Sequence, residues 1–147
     1  MIRDHSPTRR RIDLDRAEAL RLLGSVPLGR LVFTRQALPT VRPVNHIVDG
    51  DDIVIRTHEG CAVTSRTRQP GGGVVVAYEA DVIDPLTRAG WSVVITGYAR
   101  LVTDPGELTR IRGLLDPLVP QQGTDHTVRI HPEMVMGVVI AATDEAR

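Results

Sequence analysis

The most constraining feature of the sequence is a hairpin pattern in its second quarter. Residues 40–48 alternate between two faces, and Asp49-Gly50 separates them from the β-rich residues 53–57. An Asp-Gly pair between two strand-like segments is a strong signal for a hairpin turn. Because Pro43 lacks a backbone N–H, we expect its strand to lie at an edge, or its N–H side to face a ligand or loop.

Other β-rich segments follow along the chain, with turns or short helices between them. Strands joined by short turns pair antiparallel, whereas a parallel sheet needs crossover helices that this sequence lacks. We therefore disfavour a doubly wound nucleotide-binding fold and predict a mainly β domain with short helices, built as a small antiparallel barrel. The further predicted strands cover residues 29–35, 74–82, 90–102, 127–130 and 134–141.

Short helices are predicted between the strands. Asp13 is the predicted N-cap of the first helix, which ends at Gly24. A second helix begins at Asp104-Pro105, in the order typical of a cap followed by proline, and continues to about Leu115. Residues 59–68 form either a short helix or a turn.

The chain of 147 residues suits a single domain with its own core. Residues 1–12 are polar and arginine-rich and are interpreted as a flexible N-terminal arm, with residues 13–147 forming the domain. The first residues lack the apolar stretch of a signal peptide, and no apolar run approaches the ~20 residues of a membrane helix. The single cysteine, Cys61, excludes an intrachain disulfide, so we expect a cytoplasmic protein with no membrane partner.

The charge composition excludes several classes of function. All 18 basic residues are arginines, so lysine Schiff-base chemistry and a Walker A phosphate loop are both impossible. A net charge of +0 and an aromatic content of 3% argue against a nucleic-acid partner, because neither electrostatic attraction nor base stacking is provided. Any bound phosphate must rely on arginine, hydroxyl or backbone N–H groups.

The usual catalytic motifs are missing, and the remaining candidates are individually weak. Neither G-x-S-x-G nor H-E-x-x-H occurs. His46, His58 and Glu59 offer a conceivable two-histidine, one-carboxylate metal site, although histidines in hairpins more often serve as surface or hydrogen-bonding residues. Cys61 is more often a packed small residue than a nucleophile in such a context.

Two arginines and one tryptophan have alternative interpretations. Arg42 and Arg56 lie on the two arms of the predicted hairpin, where like charges repel unless an anion or carboxylates lie between them. A small phosphate site and exposed, carboxylate-paired arginines both fit this pattern. Trp91 follows Gly90 at a strand entry and is either a core or dimer-interface anchor or a wall beside a planar cofactor ring.

Four segments in a fixed order resemble a known family. They are Gly29-Arg-Leu-Val-Phe33, Leu38-Pro-Thr-Val-Arg-Pro-Val-Asn-His46, Asp49-Gly-Asp-Asp-Ile-Val-Ile-Arg-Thr57 and Gly90-Trp-Ser-Val-Val-Ile-Thr-Gly97. Together they are similar to the pyridoxamine 5′-phosphate oxidase-like flavin-binding split-barrel family, which includes deazaflavin-dependent reductases. The resemblance covers residues 13–142 and implies an antiparallel split β-barrel, the FMN-binding split barrel, that forms a homodimer with the cofactor in a cleft between subunits.

The resemblance also implies cofactor-binding residues. The strand Arg42, Pro43, Val44 and Asn45 would pass under the isoalloxazine ring, and Ile55, Arg56 and Thr57 would supply donors towards the phosphate. The following turn, with Cys61 and Ala62, would close the phosphate site, and Trp91 and Ser92 would approach the ring from the other subunit. No catalytic side chain and no metal ligand are implied, because the cofactor itself carries the redox chemistry.

The implied activity is that of an FMN-dependent oxidoreductase acting on an unidentified small molecule. The alternatives are a reductase that uses the deazaflavin coenzyme F-420 and a non-enzymatic flavin- or haem-binding carrier or sensor. Val63 stands where members of the family commonly have a lysine, which leaves the mode of phosphate binding open. The aromatic and basic residues that clamp pyridoxamine phosphate are not evident, so vitamin B6 oxidation is not predicted.

Overall fold

The computed structural model describes residues 9–58, 63, 73–116 and 125–142. Seven strands and two helices occur in these parts of the chain. In chain order they are β1 (Arg9–Leu14), α1 (Arg16–Gly24), β2 (Leu28–Arg35), β3 (Leu38–Asp49), β4 (Asp52–Thr57), β5 (Val74–Ile83), β6 (Gly90–Leu101), α2 (Pro105–Arg112) and β7 (His126–Ala142). No helix among the described residues is long and apolar enough to span a membrane.

The seven strands form one antiparallel sheet that closes on itself. Their order is β1-β7-β4-β3-β2-β5-β6, and β6 pairs with β7 as well. Strands adjacent in the chain pair through short turns, as β2–β3, β3–β4 and β5–β6 do. The prediction of a mainly β antiparallel barrel is therefore confirmed.

The predicted hairpin between β3 and β4 is present, with Gly50 at a positive φ of 63° in its turn. β4 pairs with β3 only between His46 and Asp49. Among the described residues, the rest of β3 therefore pairs on one side alone, with β2. Pro43 lies in this part of β3, so the edge position expected from its missing N–H is confirmed.

The start of the domain differs from the prediction. Residues 9–12, assigned to the flexible arm, belong to β1 and pair with the end of β7. Because this strand continues to Leu14, Asp13 cannot cap the first helix. Asp15 is the N-cap instead, and its carboxylate accepts a hydrogen bond from the backbone N–H of Glu18.

The end of the domain also differs. The two last predicted strands are one strand, β7, which passes through Pro132 with an irregularity opposite Thr96 and Gly97. An ideal Cβ on Gly97 would lie 2.1 Å from the backbone oxygen of His131, so the close approach at this bulge requires glycine.

Two hydrophobic clusters lie on opposite sides of the β3–β4 hairpin. The main core fills the barrel. Helix α1 contributes Ala19, Leu20 and Leu23 to it, and all three are buried. A second cluster lies outside the barrel, where Val54 of β4 packs against Ile111 and Leu115. Helix α2 and the residues after it therefore lie against the outer face of β4.

Candidate functional site

Asn45 and Arg56 are neighbours on the outer face of the β3–β4 hairpin. The register pairs His46 with Ile55, and its continuation by one position places Asn45 opposite Arg56. Both side chains bind consecutive backbone carbonyls after α2: Asn45 Nδ2 donates to the oxygen of Asp116 at 3.4 Å, and Arg56 Nη1 donates to the oxygen of Leu115 at 2.6 Å. One amide and one guanidinium thus lie side by side, next to the open edge of β3.

Arg56 also forms a partly buried ion pair. Its Nε donates to Asp125 Oδ2 at 2.5 Å, and the two side chains are 12% and 17% exposed. The hydrogen bond from Arg56 lowers the pKa of the Asp125 carboxyl against the opposing effect of burial. The Asp125 carboxylate therefore neutralises part of the positive charge of Arg56, the residue expected from the sequence to face a phosphate.

Arg42 and Arg56 do not face each other across the hairpin, and of the two interpretations the carboxylate-paired one holds for Arg56, whose partner is Asp125. Arg42 shares its face of β3 with the buried Val44, whereas Arg56 shares the opposite, outer face with Asn45. Arg42 Nη1 donates to the backbone oxygen of Val41, and the register leaves no anion site between the two arginines. Because side chains alternate between the two faces of a strand, Arg42 and Arg56 lie on opposite faces although they belong to the two arms of one hairpin.

Three other predicted site residues present backbone rather than side chains to the outer face. Val44, Ile55 and Thr57 are buried, with Val44 and Ile55 in the main core. Pro43 is exposed and lies in the part of β3 that pairs only with β2. Val44, Ile55 and Thr57 can contribute main-chain groups to a ligand on this face, Pro43 contributes its ring, and the side chains of Asn45 and Arg56 supply the polar contacts.

Trp91 and Ser92 lie elsewhere in the same subunit. Trp91 is partly buried against the main core. Ser92 pairs with Asp81 of β5, and Asn45 pairs with Leu28 of β2. Extending the β2–β5 register joins these pairs into one row, so Ser92 and Asn45 are separated by three strand spacings, or roughly 14 Å. Within one subunit, Ser92 and Asn45 do not form a single small site.

The remaining candidates are a turn and a metal site. Cys61, Ala62 and Glu59 lie outside the described residues. Val63 is 2% exposed in the main core, so the position where the family commonly has a lysine supplies packing and no charge. Among the described residues, no group of three potential metal ligands occurs.

His46 is buried, and its two ring nitrogens contact protein groups. Nε2 lies 2.7 Å from the backbone oxygen of Leu23, and Nδ1 lies 2.5 Å from the hydroxyl of Tyr78. Sequence reasoning missed this pair because its residues are 32 positions apart. It missed Asp125 for the same reason, since no local pattern marks a residue whose partner lies on the neighbouring strand.

Comparison with known proteins places this geometry in a family. The family model described as pyridoxamine 5′-phosphate oxidase matches residues 15–139. The protein Rv0080 of Mycobacterium tuberculosis is 50% identical over 132 residues, which cover 89% of this chain and 86% of that protein.

Two solved structures are similar over nearly the whole chain. One, from Corynebacterium glutamicum and provisionally named a pyridoxamine 5′-phosphate oxidase, is 34% identical with a TM-score of 0.72, covering 88% of this chain and 98% of that one. The other is the FAD binding protein of Mycobacterium smegmatis, 31% identical with a TM-score of 0.66, covering 86% and 95% of the two chains.

Proposed function

The chain belongs to the pyridoxamine 5′-phosphate oxidase family, and from that premise we propose that it is an oxidoreductase that binds a flavin nucleotide on the outer face of β3, beside its open edge and next to Asn45 and Arg56. The observation that carries the proposal is the adjacency of Asn45 and Arg56 beside the open edge of β3. The similarity to a flavin-binding protein of Mycobacterium smegmatis supports the same cofactor class.

The donor chemistry of this face fits a flavin. The Asn45 amide both donates and accepts, as the polar edge of an isoalloxazine ring requires, and the backbone of β3 beside it offers further groups. Arg56 offers a guanidinium suited to a phosphate. A bound flavin supplies the hydride or electron transfer, and these residues hold and orient it.

FMN is the cofactor that we propose first, because one ring and one phosphate match one amide and one guanidinium. FAD and the deazaflavin coenzyme F-420 present related ring edges and are the alternatives for the same face. A haem carrier has less support, since His46 is buried and its two nitrogens face Leu23 and Tyr78.

We also propose that the protein is a homodimer, with the apolar outer face of β5, β6 and β7 as its interface. Val75 pairs with Tyr98, Val94 pairs with Met136, and Met134 pairs with Thr96 between them, so these side chains lie together on the outer face. Apolar faces of this kind on soluble proteins commonly mark interfaces. The side chains of the patch are between 39% and 61% exposed: Val75, Val94, Tyr98, Met134 and Met136.

Cofactor binding is tested by titrating the purified protein with FMN, FAD and F-420 and following quenching of ligand fluorescence. We expect saturable binding of at least one of them. Asn45→Ala weakens that binding about tenfold, because one direct hydrogen bond to the ligand is lost. Thr103→Ala, an exposed residue before α2, is the matched control. Absence of binding by all three ligands would contradict the proposal.

Self-association is tested by sedimentation velocity. Met136→Glu places a charge in the centre of the apolar patch and is expected to convert dimers into monomers. Leu86→Glu places the same charge on a residue that is 91% exposed in the β5–β6 turn and leaves the dimer intact. A wild-type protein that sediments as a monomer would refute the homodimer.

Redox activity is tested by reducing the bound flavin anaerobically and mixing it with quinone and nitroaromatic acceptors. Reoxidation faster than that of the free flavin supports an enzyme. A bound flavin that reacts more slowly than the free flavin with every acceptor favours a carrier or sensor.

A further inference from the structure

Arg30, Glu79 and Asp81 form a charged cluster on the outer face of β2 and β5. Arg30 Nη1 donates to Glu79 Oε2 at 2.9 Å and to Asp81 Oδ2 at 3.4 Å. Both carboxylates remain partly exposed. The Arg30 cluster thus combines one guanidinium with two carboxylates. It carries a net negative charge when both carboxylates are ionised, and it is neutral when one of them is protonated.

The Arg30 cluster adjoins the apolar face that we propose as the dimer interface. Glu79 pairs with Arg30 of β2 on one side and with Val94 of β6 on the other. Val94 in turn pairs with Met136 of β7. The neighbouring row on the same face carries no charge in any of its five strands: Val41, Val32, Ala77, Thr96 and Met134. A second copy that covers Val94 and Met136 therefore also removes water from Glu79.

Covering the Arg30 cluster favours its neutral form. Moving a net charge into an apolar interface costs free energy that a neutral, hydrogen-bonded cluster largely avoids. Burial, together with a hydrogen bond to Asp81, already raises the pKa of Glu79 to about 6, although Arg30 lowers it. Glu79 is therefore the member that takes up the proton, and further loss of water raises its pKa again.

We propose that the Arg30 cluster makes self-association of this protein depend on pH, because formation of the dimer is accompanied by proton uptake at Glu79. This inference rests on the proposed homodimer. Since the dimer holds more protons than the separate subunits, its formation is favoured near pH 6 and is weakened as the pH rises above this value.

Few other charged groups lie near Glu79. The charged side chains that face it are Arg30 of β2 and Asp81 of its own strand. The residues that β6 places beside it on this face are uncharged: Ser92, Val94 and Thr96. His131 of β7 lies opposite Tyr98, at the border of the apolar patch. Because a histidine gains positive charge as the pH falls, His131 opposes stronger association at low pH and does not produce it.

The test is the dissociation constant of the dimer, measured by sedimentation equilibrium at about pH 6 and about pH 8 and at one ionic strength. We expect the constant of the wild type to be about tenfold larger at the higher pH. Glu79→Gln has the shape of the protonated side chain and keeps a donor for Asp81. It is expected to dimerise at the higher pH as tightly as the wild type does at the lower pH.

The matched control is Asp51→Asn, which removes an exposed carboxylate in the β3–β4 turn and should keep the pH dependence of the wild type. Asp81→Asn covers the case in which Glu79→Gln does not fold. It leaves one carboxylate beside Arg30, so the cluster is neutral while Glu79 is ionised. We expect Asp81→Asn to dimerise about tenfold more tightly than the wild type at the higher pH.

The outcomes separate the inference from the proposed homodimer. A wild-type dissociation constant that is equal at both pH values overturns the inference and leaves the homodimer standing. A pH dependence that persists unchanged in Glu79→Gln and Asp81→Asn also overturns it, because another group then titrates. If the wild type and both variants are monomers at both pH values, the homodimer itself fails, and the inference fails with it.

Discussion

The hydroxyl of Tyr78 lies 2.5 Å from Nδ1 of His46 inside the barrel, and the two rings meet edge to face with centroids 5.1 Å apart. Since the backbone oxygen of Leu23 can only accept, Nε2 of His46 carries the hydrogen, and Nδ1 accepts from Tyr78. This buried pair joins β3, β5 and the end of α1. It fixes β3 at His46, the residue next to Asn45.

Tyr78→Phe is expected to lower the free energy of unfolding by about 1–3 kcal/mol, because Nδ1 of His46 loses its buried donor. Urea denaturation at one protein concentration measures the change. Tyr98→Phe is the control, since Tyr98 is 44% exposed on the outer face of β6. Equal effects of the two substitutions would argue against the buried hydrogen bond.

The stability of the protein is expected to depend on pH through His46. Burial lowers the pKa of His46, although the hydrogen bond to Leu23 opposes this effect. Below about pH 6.5 the unfolded chain binds a proton that the folded chain resists, so the free energy of unfolding falls as the pH decreases. The stability difference between the wild type and His46→Gln, measured by urea denaturation, should therefore narrow between about pH 7 and about pH 5.

Glu79 is expected to act in the opposite direction. Burial, together with a hydrogen bond to Asp81, raises the pKa of Glu79 to about 6 from 4.5, although Arg30 lowers it. The folded chain therefore holds a proton that the unfolded chain has released, and the free energy of unfolding falls as the pH rises from 4.5 through 6. Glu79→Gln should flatten this part of the profile, while the exposed control Glu133→Gln should not.

Arg129 is predicted to be the most important charged residue for stability. Its side chain, 9% exposed, binds Asp49 at 2.7 Å, Asp52 at 3.2 Å and Glu107 at 2.5 Å. Arg129→Met leaves three carboxylates without their shared cation, so we expect a loss of about 3–5 kcal/mol in chemical denaturation.

The matched control for that substitution is Arg110→Met. Arg110 binds the same Asp49 but is 48% exposed, so solvent screens its ion pair and we expect a much smaller loss of stability than for Arg129→Met. Equal losses of stability in the two variants would show that burial does not set the contribution of this ion cluster.

Much of the fold was predictable because its signals are local. Asp49-Gly50 marks the turn between β3 and β4, Asp104-Pro105 marks the start of α2, and Pro43 marks the open edge of β3. The start of α1 was not predictable in the same way. Both Asp13 and Asp15 have the chemistry of a cap, and pairing of β1 with β7, over a hundred residues away, decides between them.

The candidate site was predictable in part. The family motifs pointed to Asn45 and Arg56 as cofactor-binding residues, and the register brings these two together on one face. Arg42 was grouped with Arg56, yet it lies on the other face. The face on which a side chain lies depends on the pairing register of the whole strand. The local sequence around that residue does not give this register.

The sequence by itself determined the type of molecule: an antiparallel barrel without lysine, whose phosphate ligand must be held by arginine, hydroxyl or backbone groups. Those properties follow from local turn chemistry and from composition, which need no knowledge of long-range contacts. Only the tertiary structure decided that Asp125 reaches Arg56 and that Tyr78 reaches His46. Each of these pairs joins residues more than 30 positions apart, and the closure of the barrel, driven by burial of apolar faces, is what brings them into contact.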